Sequence, residues 1–288
     1  MTPHFSNIAI LGGGLLGGSL GLALAERLPP QKHRLWMRKS ASYDEACALG
    51  MADFATLDLT KAVVNADMLV LAVPVGAMPD LVLAAIQAGL PDTCLITDVG
   101  SVKATPHRTI APLLEGRGNR FIGSHPMAGS ERNGLAAASS RLFDHAACLL
   151  TRDASTVPSQ AAALEAFWQT LGCRTTWMDP AEHDRLVARI SHMPHLLAAS
   201  AARICLSEPS DGRFGGGGLR DTTRVAAGNP SMWAEIVMEN RQALIPMLEE
   251  SIADLREILA SLENAEHENV QRWLAEAKQQ RDPLNSIC

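Results

Sequence analysis

No lysine occurs between Lys103 and Lys278, no run of five lysines and arginines occurs anywhere, and no two cysteines form a CxxC pair in this 288-residue chain. Each absence removes a class of function. Without a basic run, and with a formal net charge of -6, the chain lacks the electrostatic footprint of a nucleic-acid binder. Any anionic ligand must be met by a few placed cations. No apolar run approaches the ~20 residues that span a bilayer, and the opening MTPHFSNIAIL has neither the charged region nor the cleavage site of a secretion signal. A cytoplasmic protein with no membrane partner is expected. The cysteines, Cys47, Cys94, Cys148, Cys173, Cys205 and Cys288, are scattered as incidental thiols of a reducing compartment are. Cysteine-based metal sites are not expected.

What is present is a foldable chain, 47% hydrophobic and 19% charged, of a length that suits two domains. NIAIL (7–11) is a short apolar run that meets GGGLLGGSLGLALAERL, where apolar residues recur at helical spacing, so strand, glycine turn and helix are predicted in succession. HRLWM (33–37), MLVLAVP (68–74), CLITDVG (94–100) and RFIGSHP (120–126) repeat the strand signal, each separated by helical stretches. CLLT (148–151), the helix AAALEAFWQTLG and a last strand in CRTTWMD follow. Strands alternating with helices imply a parallel sheet covered on both faces. From Pro180 the pattern is all helical: one helix of over twenty residues from AEHDR to RICL, then a stripe of apolar residues from Trp233 to Leu262, which Pro246 is expected to kink or break. So much apolar helix surface in about a hundred residues predicts burial against a second copy. The expected architecture is a doubly wound, Rossmann-type α/β domain over 1–177, followed by an all-α substrate-binding and dimerisation domain over 178–288.

Gly12, Gly14 and Gly17 match GxGxxG with a strand before and a helix after, the context that gives the motif meaning. These glycines, with Leu15 and Leu16 of the same turn and Val73 and Pro74 at the end of MLVLAVP, are the candidate dinucleotide contacts. About twenty residues on, where an acidic residue would hold the ribose 2′-hydroxyl of NAD, the chain has Arg38, Lys39 and Ser40. Two cations and a hydroxyl suit a 2′-phosphate and favour NADP over NAD, although a solvated loop pair remains the plain alternative.

Four further motifs follow in order: TDVGSVK (97–103), GSHPMAGSE (123–131), SHMPH (191–195) and GGGLRDTTRVAAGNPSMW (216–233). Together with the glycine turn, they make nearly the whole chain resemble the prephenate and arogenate (cyclohexadienyl) dehydrogenase family of tyrosine biosynthesis. The resemblance implies oxidative decarboxylation of a cyclohexadienyl acid, arogenate to tyrosine or prephenate to 4-hydroxyphenylpyruvate, with hydride passing to NAD(P). It implies that His125 accepts a hydrogen bond from the substrate hydroxyl and that Ser101 bonds the same hydroxyl beside the nicotinamide. Ser101 also has a structural reading as a helix cap. Arg224 is implied to bind the ring carboxylate and His195 the side-chain carboxylate. Glu131 and Trp233 are implied at the mouth and wall of the pocket, against alternatives of a solvated carboxylate and a core or interface ring. Lys103 reads as a surface or phosphate-proximal charge, and GGGG (215–218) as a sign of close backbone approach or positive φ, with a flexible loop near the substrate.

His192 and His195 lie about one helical turn apart, but with no third residue at metal spacing no metal is expected. β-Hydroxyacid dehydrogenases and imine reductases share the two-domain plan; they commonly use a lysine early in the helical domain, which this chain lacks. A non-catalytic dinucleotide-sensing dimer is the reading from a different class. A chain ending soon after the helical domain leaves no room for a fused mutase or regulatory domain, so a stand-alone homodimeric enzyme acting on a small dicarboxylate is expected.

Overall fold

A computed structural model describes residues 5–27, 32–129 and 134–286. Strands β1 (Asn7–Leu11), β2 (Lys32–Trp36), β3 (Ala55–Thr56), β4 (Met68–Leu71), β5 (Leu95–Asp98) and β6 (Arg120–Phe121) form one sheet in the order β3-β2-β1-β4-β5-β6, every neighbouring pair parallel. This is the strand order of a doubly wound dinucleotide-binding sheet. Alternation along the strands serves two cores. Ile8, Ile10, Met68 and Val70 point into one apolar cluster, while Ala9, Leu11, Leu69 and Leu71 point into the other. Helices α1 (Leu15–Arg27), α2 (Ser40–Ala48), α3 (Leu59–Val63), α4 (Met78–Gln87) and α5 (Ala104–Ile110) connect these strands.

The stretch RFIGSHP, read as one strand, is two. β6 stops at Phe121, and β7 (Gly123–Pro126) belongs to a second sheet with β8 (Ala147–Thr151) and β9 (Arg174–Met178), in the order β7-β8-β9. β7 runs antiparallel to β8, with His125 opposite Leu149, and β8 runs parallel to β9 through helix α6 (Pro158–Thr170). The chain changes sheets at Gly123 because nothing larger fits there: a Cβ would lie 2.4 Å from Thr151 Oγ1 and 2.6 Å from Lys103 Cδ. His125 is therefore carried by a small mixed sheet and not by the parallel one. Ser124 keeps the two together: its N–H donates to Asp98 Oδ1 at the end of β5 (3.2 Å), and its hydroxyl bonds Thr97 Oγ1 (2.8 Å).

The predicted long helix after Pro180 is interrupted. α7 (Pro180–Val187), capped by the Asp179 carboxylate accepting from Glu182 N–H (2.7 Å), passes into one π turn, Ala188–His192, before α8 (Met193–Cys205). Pro194 at the start of α8 has no N–H to continue the ladder, which favours this adjustment. The GGGG run is not a positive-φ turn. Gly215 and Gly216 have φ of -68° and -81°, and Gly217 and Gly218 open helix α9 (Gly217–Thr223). Arg224–Ala227 forms a 3-10 turn that packs on α8, and α10 (Pro230–Glu239) follows, capped by Asn229.

Compactness divides the chain after Asn240. The helix break lies there and not at Pro246, which sits inside α11 (Arg241–Glu263) as its sixth residue. So near the N-terminus the proline forfeits a single helical bond, whereas the Asn240 side chain is held away from a helical course by two hydrogen bonds described below. α11 and α12 (His267–Arg281) form the second unit, tied by Trp273 Nε1 donating to Asp254 Oδ1 (2.9 Å). Ile245, Leu248, Ile252, Leu255, Leu259 and Leu262 repeat at alternating spacings of three and four residues and are all exposed, between 40% and 61%. That spacing is the a/d seam of a helix pair. Among the described residues no helix is long and apolar enough to cross a membrane.

Candidate active site

The glycine turn is built as its sequence requires. Gly12 has φ of +120° and donates its N–H to Trp36 O (3.0 Å), and a Cβ there would lie 2.2 Å from Ala72 O. A Cβ on Gly17 would lie 1.9 Å from Gly12 O, so this glycine lets α1 pack against the strand end. Gly14 differs: a Cβ would meet nothing within 4 Å. Its bare backbone is open at the amino end of α1, where a pyrophosphate is held by free N–H groups and the helix dipole. Leu15 and Leu16 begin α1 there, and the Val73 side chain reaches within 2.9 Å of the Cβ position of Gly12. Pro74 follows, exposed, at the carboxyl side of β4. The residues present thus fit a dinucleotide. Arg38, Lys39 and Ser40 are exposed where β2 turns into α2, with Lys39 at the cap position and no side chain capping the helix.

β5 leads to the chemistry end through Asp98, Gly100 and Ser101. Ser101 is part-exposed and does not cap α5, which begins at Ala104. Lys103 is not on the surface. Its side chain and that of Asp98 are both fully buried and ion-paired, and Nζ donates further to the carbonyls of Gly100 (2.9 Å) and Val102 (3.1 Å). A buried ammonium needs such saturation. The signal was available: the aspartate lies five residues upstream in TDVGSVK.

His125, 8% exposed, has its Nδ1 2.9 Å from His183 Nε2. His183 Nδ1 lies 2.8 Å from Asp184 Oδ1, and Asp184 accepts the N–H groups of Lys103 (2.7 Å) and Ala104 (2.9 Å) at the start of α5. Asn240 Nδ2 donates to Asp184 O and to His192 Nδ1, both at 2.9 Å. His192 meets the Trp233 ring edge-on (6.2 Å), and Trp233 stacks on His195, with centroids 3.5 Å apart and planes 10° from parallel. Gly228 admits this stack, since a Cβ would lie 2.4 Å from Trp233 Nε1. His195 Nδ1 is buried with no hydrogen-bond partner among the described residues. An imidazole left this way is a group that a ligand can satisfy. Glu235, one half-turn beyond Trp233, accepts the N–H of Gly76 (3.0 Å) and so ties α10 to the loop after β4.

The structure therefore brings His125, His195 and Trp233 into one connected group, with Arg224 exposed on the 3-10 turn against α8. Ser101 stands on the β5 side, three residues after the aspartate that binds Ser124. Glu131 lies outside the described residues. His183, Asp184 and Asn240 were not singled out from sequence. The adjacent pair HD at the start of a helix was the available sign of the first two, and nothing local marks Asn240.

Six histidines are buried among the described residues. Burial pushes His33 and His192 down to about 4 from an ordinary 6.5, and it lowers His107, His125, His183 and His195 as well. Above pH 6.5 both folded and unfolded chains carry these rings neutral. Below 6.5 the unfolded chain takes up protons that the folded one refuses until about pH 4, so stability falls through that window, by about 1.4 kcal/mol per pH unit for each such ring. Asp184 is held below its ordinary 3.8 by the His183 ring and the two α5 amides, so its contribution is lost only at lower pH. The midpoint of urea unfolding is expected to be flat from pH 8 to 7 and to fall steadily from pH 6.5 to 4; a flat profile across both ranges contradicts the neutral, buried state of the rings.

Comparison with known proteins agrees with this assembly. A family model described as prephenate dehydrogenase, nucleotide-binding domain, matches residues 20–177, and one described as prephenate dehydrogenase, dimerization domain, matches residues 179–276. The chain is 35% identical to the cyclohexadienyl dehydrogenase of Zymomonas mobilis, over 98% of this chain and 97% of that one. It is similar to the structure of prephenate dehydrogenase from A. aeolicus in complex with hydroxyphenyl propionate and NAD+ (TM-score 0.88, 25% identity, 99% and 100% of the two chains). The structure of Synechocystis arogenate dehydrogenase is similar too (TM-score 0.78, 29% identity, 96% and 99%). With family models matched over residues 20–177 and 179–276 and a relative 35% identical over nearly its whole length, the chain belongs to the prephenate dehydrogenase family of NAD(P)-dependent oxidoreductases.

Proposed function

We propose that the protein oxidatively decarboxylates prephenate, arogenate or both, in tyrosine biosynthesis, with NADP favoured over NAD. The observation that carries the reading is the buried His125 imidazole beside the carboxyl end of β5, in a fold whose sheet also carries, at the carboxyl end of β1, a glycine turn open for a pyrophosphate. The bound dinucleotide supplies the hydride acceptor. His125 accepts the hydrogen bond of the hydroxyl on the carbon that loses hydride, with Ser101 on the same group. Arg224 offers a planar fork to the ring carboxylate, while His195, with its unpaired Nδ1, and Trp233 meet the side chain. By resemblance to the family motif, Glu131 serves at the mouth of the pocket. Loss of carbon dioxide makes the ring aromatic, so orientation and a few charges suffice.

The NADP preference is supported by Arg38, Lys39 and Ser40 at the uncapped start of α2 and by the lack of an acidic residue there. We place the functional division at 177/178, with the cofactor, His125 and Ser101 on the first part and the carboxylate-binding groups and dimer contacts on the second. The apolar seam of α11 supports a homodimer, and the unpaired thiols support a reducing compartment such as the cytoplasm. The test is absorbance at 340 nm with prephenate and arogenate, each with NAD and NADP. Turnover is expected with NADP on at least one acid, and Arg38→Asp should weaken NADP more than NAD. Silence with all four pairs sinks the reaction, and an unchanged cofactor ratio in the variant sinks the 2′-phosphate reading.

A further inference from the structure

We infer that His183 and Asp184 are positioning residues that hold His125 in a single tautomer, with the proton on Nδ1 and a bare lone pair on Nε2. The inference rests on His125 being the acceptor of the substrate hydroxyl, and it explains why that ring can only accept.

The deduction starts at the carboxylate. Asp184 takes two backbone N–H groups, from Lys103 and Ala104, on its two oxygens, so it is fixed in place and has only lone pairs to offer. The His183 nitrogen 2.8 Å from Oδ1 must then be the donor, which puts the His183 proton on Nδ1. A neutral His183 has its lone pair on Nε2, and the nitrogen 2.9 Å away, His125 Nδ1, must donate to it. The other ring nitrogen of His125, Nε2, is then unprotonated. A cationic His183 would reverse the last step, but its side chain is fully buried and the ammonium of Lys103 disfavours a second positive charge nearby.

The same two residues also restrain the ring mechanically. Asp184 is anchored to α5 through its carboxylate and to Asn240 through its carbonyl, and His183 stands between that anchor and β7. A ring so held loses little freedom on meeting substrate, which is the use of a supporting shell around a catalytic group.

The test has a readout that does not depend on turnover. Long-range proton–nitrogen spectra of the protein labelled with ¹⁵N-histidine, with His125 assigned by its loss in His125→Asn, should show a protonated Nδ1 and an unprotonated Nε2. His183→Phe, which removes the acceptor, should mix the two tautomers and lower kcat at least about tenfold, while KM for the dinucleotide moves little. His183→Gln returns a carbonyl oxygen to that position and should recover most of the loss. A wild-type spectrum with the proton on Nε2, or a folded Phe variant with unchanged kcat, overturns the inference. The Nδ1–H spectrum in a protein silent toward every cyclohexadienyl acid would instead overturn the proposed reaction and leave the tautomer assignment standing.

Discussion

His125→Asn should lower kcat by about 10²-fold or more while leaving dinucleotide affinity unchanged, the usual size of an acid–base contribution. The substitution is mild for the fold. Asparagine can still donate an amide proton toward His183 Nε2, and β7 keeps its backbone pairing with β8 through Leu149. What it removes is the imidazole nitrogen proposed to meet the substrate hydroxyl. Steady-state rates at saturating substrate, set beside a fluorescence titration with dinucleotide, separate the two effects. A rate near wild type would take His125 out of the chemistry, and a parallel loss of dinucleotide binding would make its role structural.

Lys103→Met should destabilise the first unit by roughly 3–5 kcal/mol, a large part of the ~5–15 kcal/mol that holds a typical domain together. The cost comes from the partner left behind. Asp98 is fully buried and would keep only the N–H groups of Gly100 (2.9 Å) and Ser124 (3.2 Å). The double variant Asp98→Asn with Lys103→Met should regain much of the loss, because it removes the orphaned charge along with its partner. Urea titrations of the three proteins decide the matter; a single variant within 1 kcal/mol of the parent would show that the pair is not ionised as drawn.

Much of this molecule could be read from its sequence, for reasons that vary by element. β1, β4 and β5 were legible because a parallel strand buried on both faces is a short apolar run that ends at a glycine or proline, as NIAIL, MLVL and LITD do. β3, of two residues, carries no such signal. RFIGSHP hid the passage from one sheet to another because the apolar character is continuous; only Gly123 marks the crossing, and its reason is a neighbour far away in sequence, Thr151. The helix break was assigned to Pro246 on backbone chemistry, whereas side-chain bonds of Asn240 to residues over 45 positions away decide it. His125, Arg224 and His195 were legible through motifs. Lys103 was misread because lysines are seldom buried, and a buried one is recognised only with its aspartate.

The π turn at Ala188–His192 has a consequence for evolution as well as for geometry. His183 and His195 are twelve residues apart, which on an uninterrupted α-helix puts them about 120° apart around the axis; absorbing one extra residue brings them to within about 20°. The turn works as a phase shifter between two rigid rods, one set against His125 and the other against Trp233. Deleting one residue from it would restore a plain α-helix in which the two histidines, then eleven residues apart, keep the same offset of about 20°. A relative without that residue would carry an uninterrupted helix here and still present both histidines on one face.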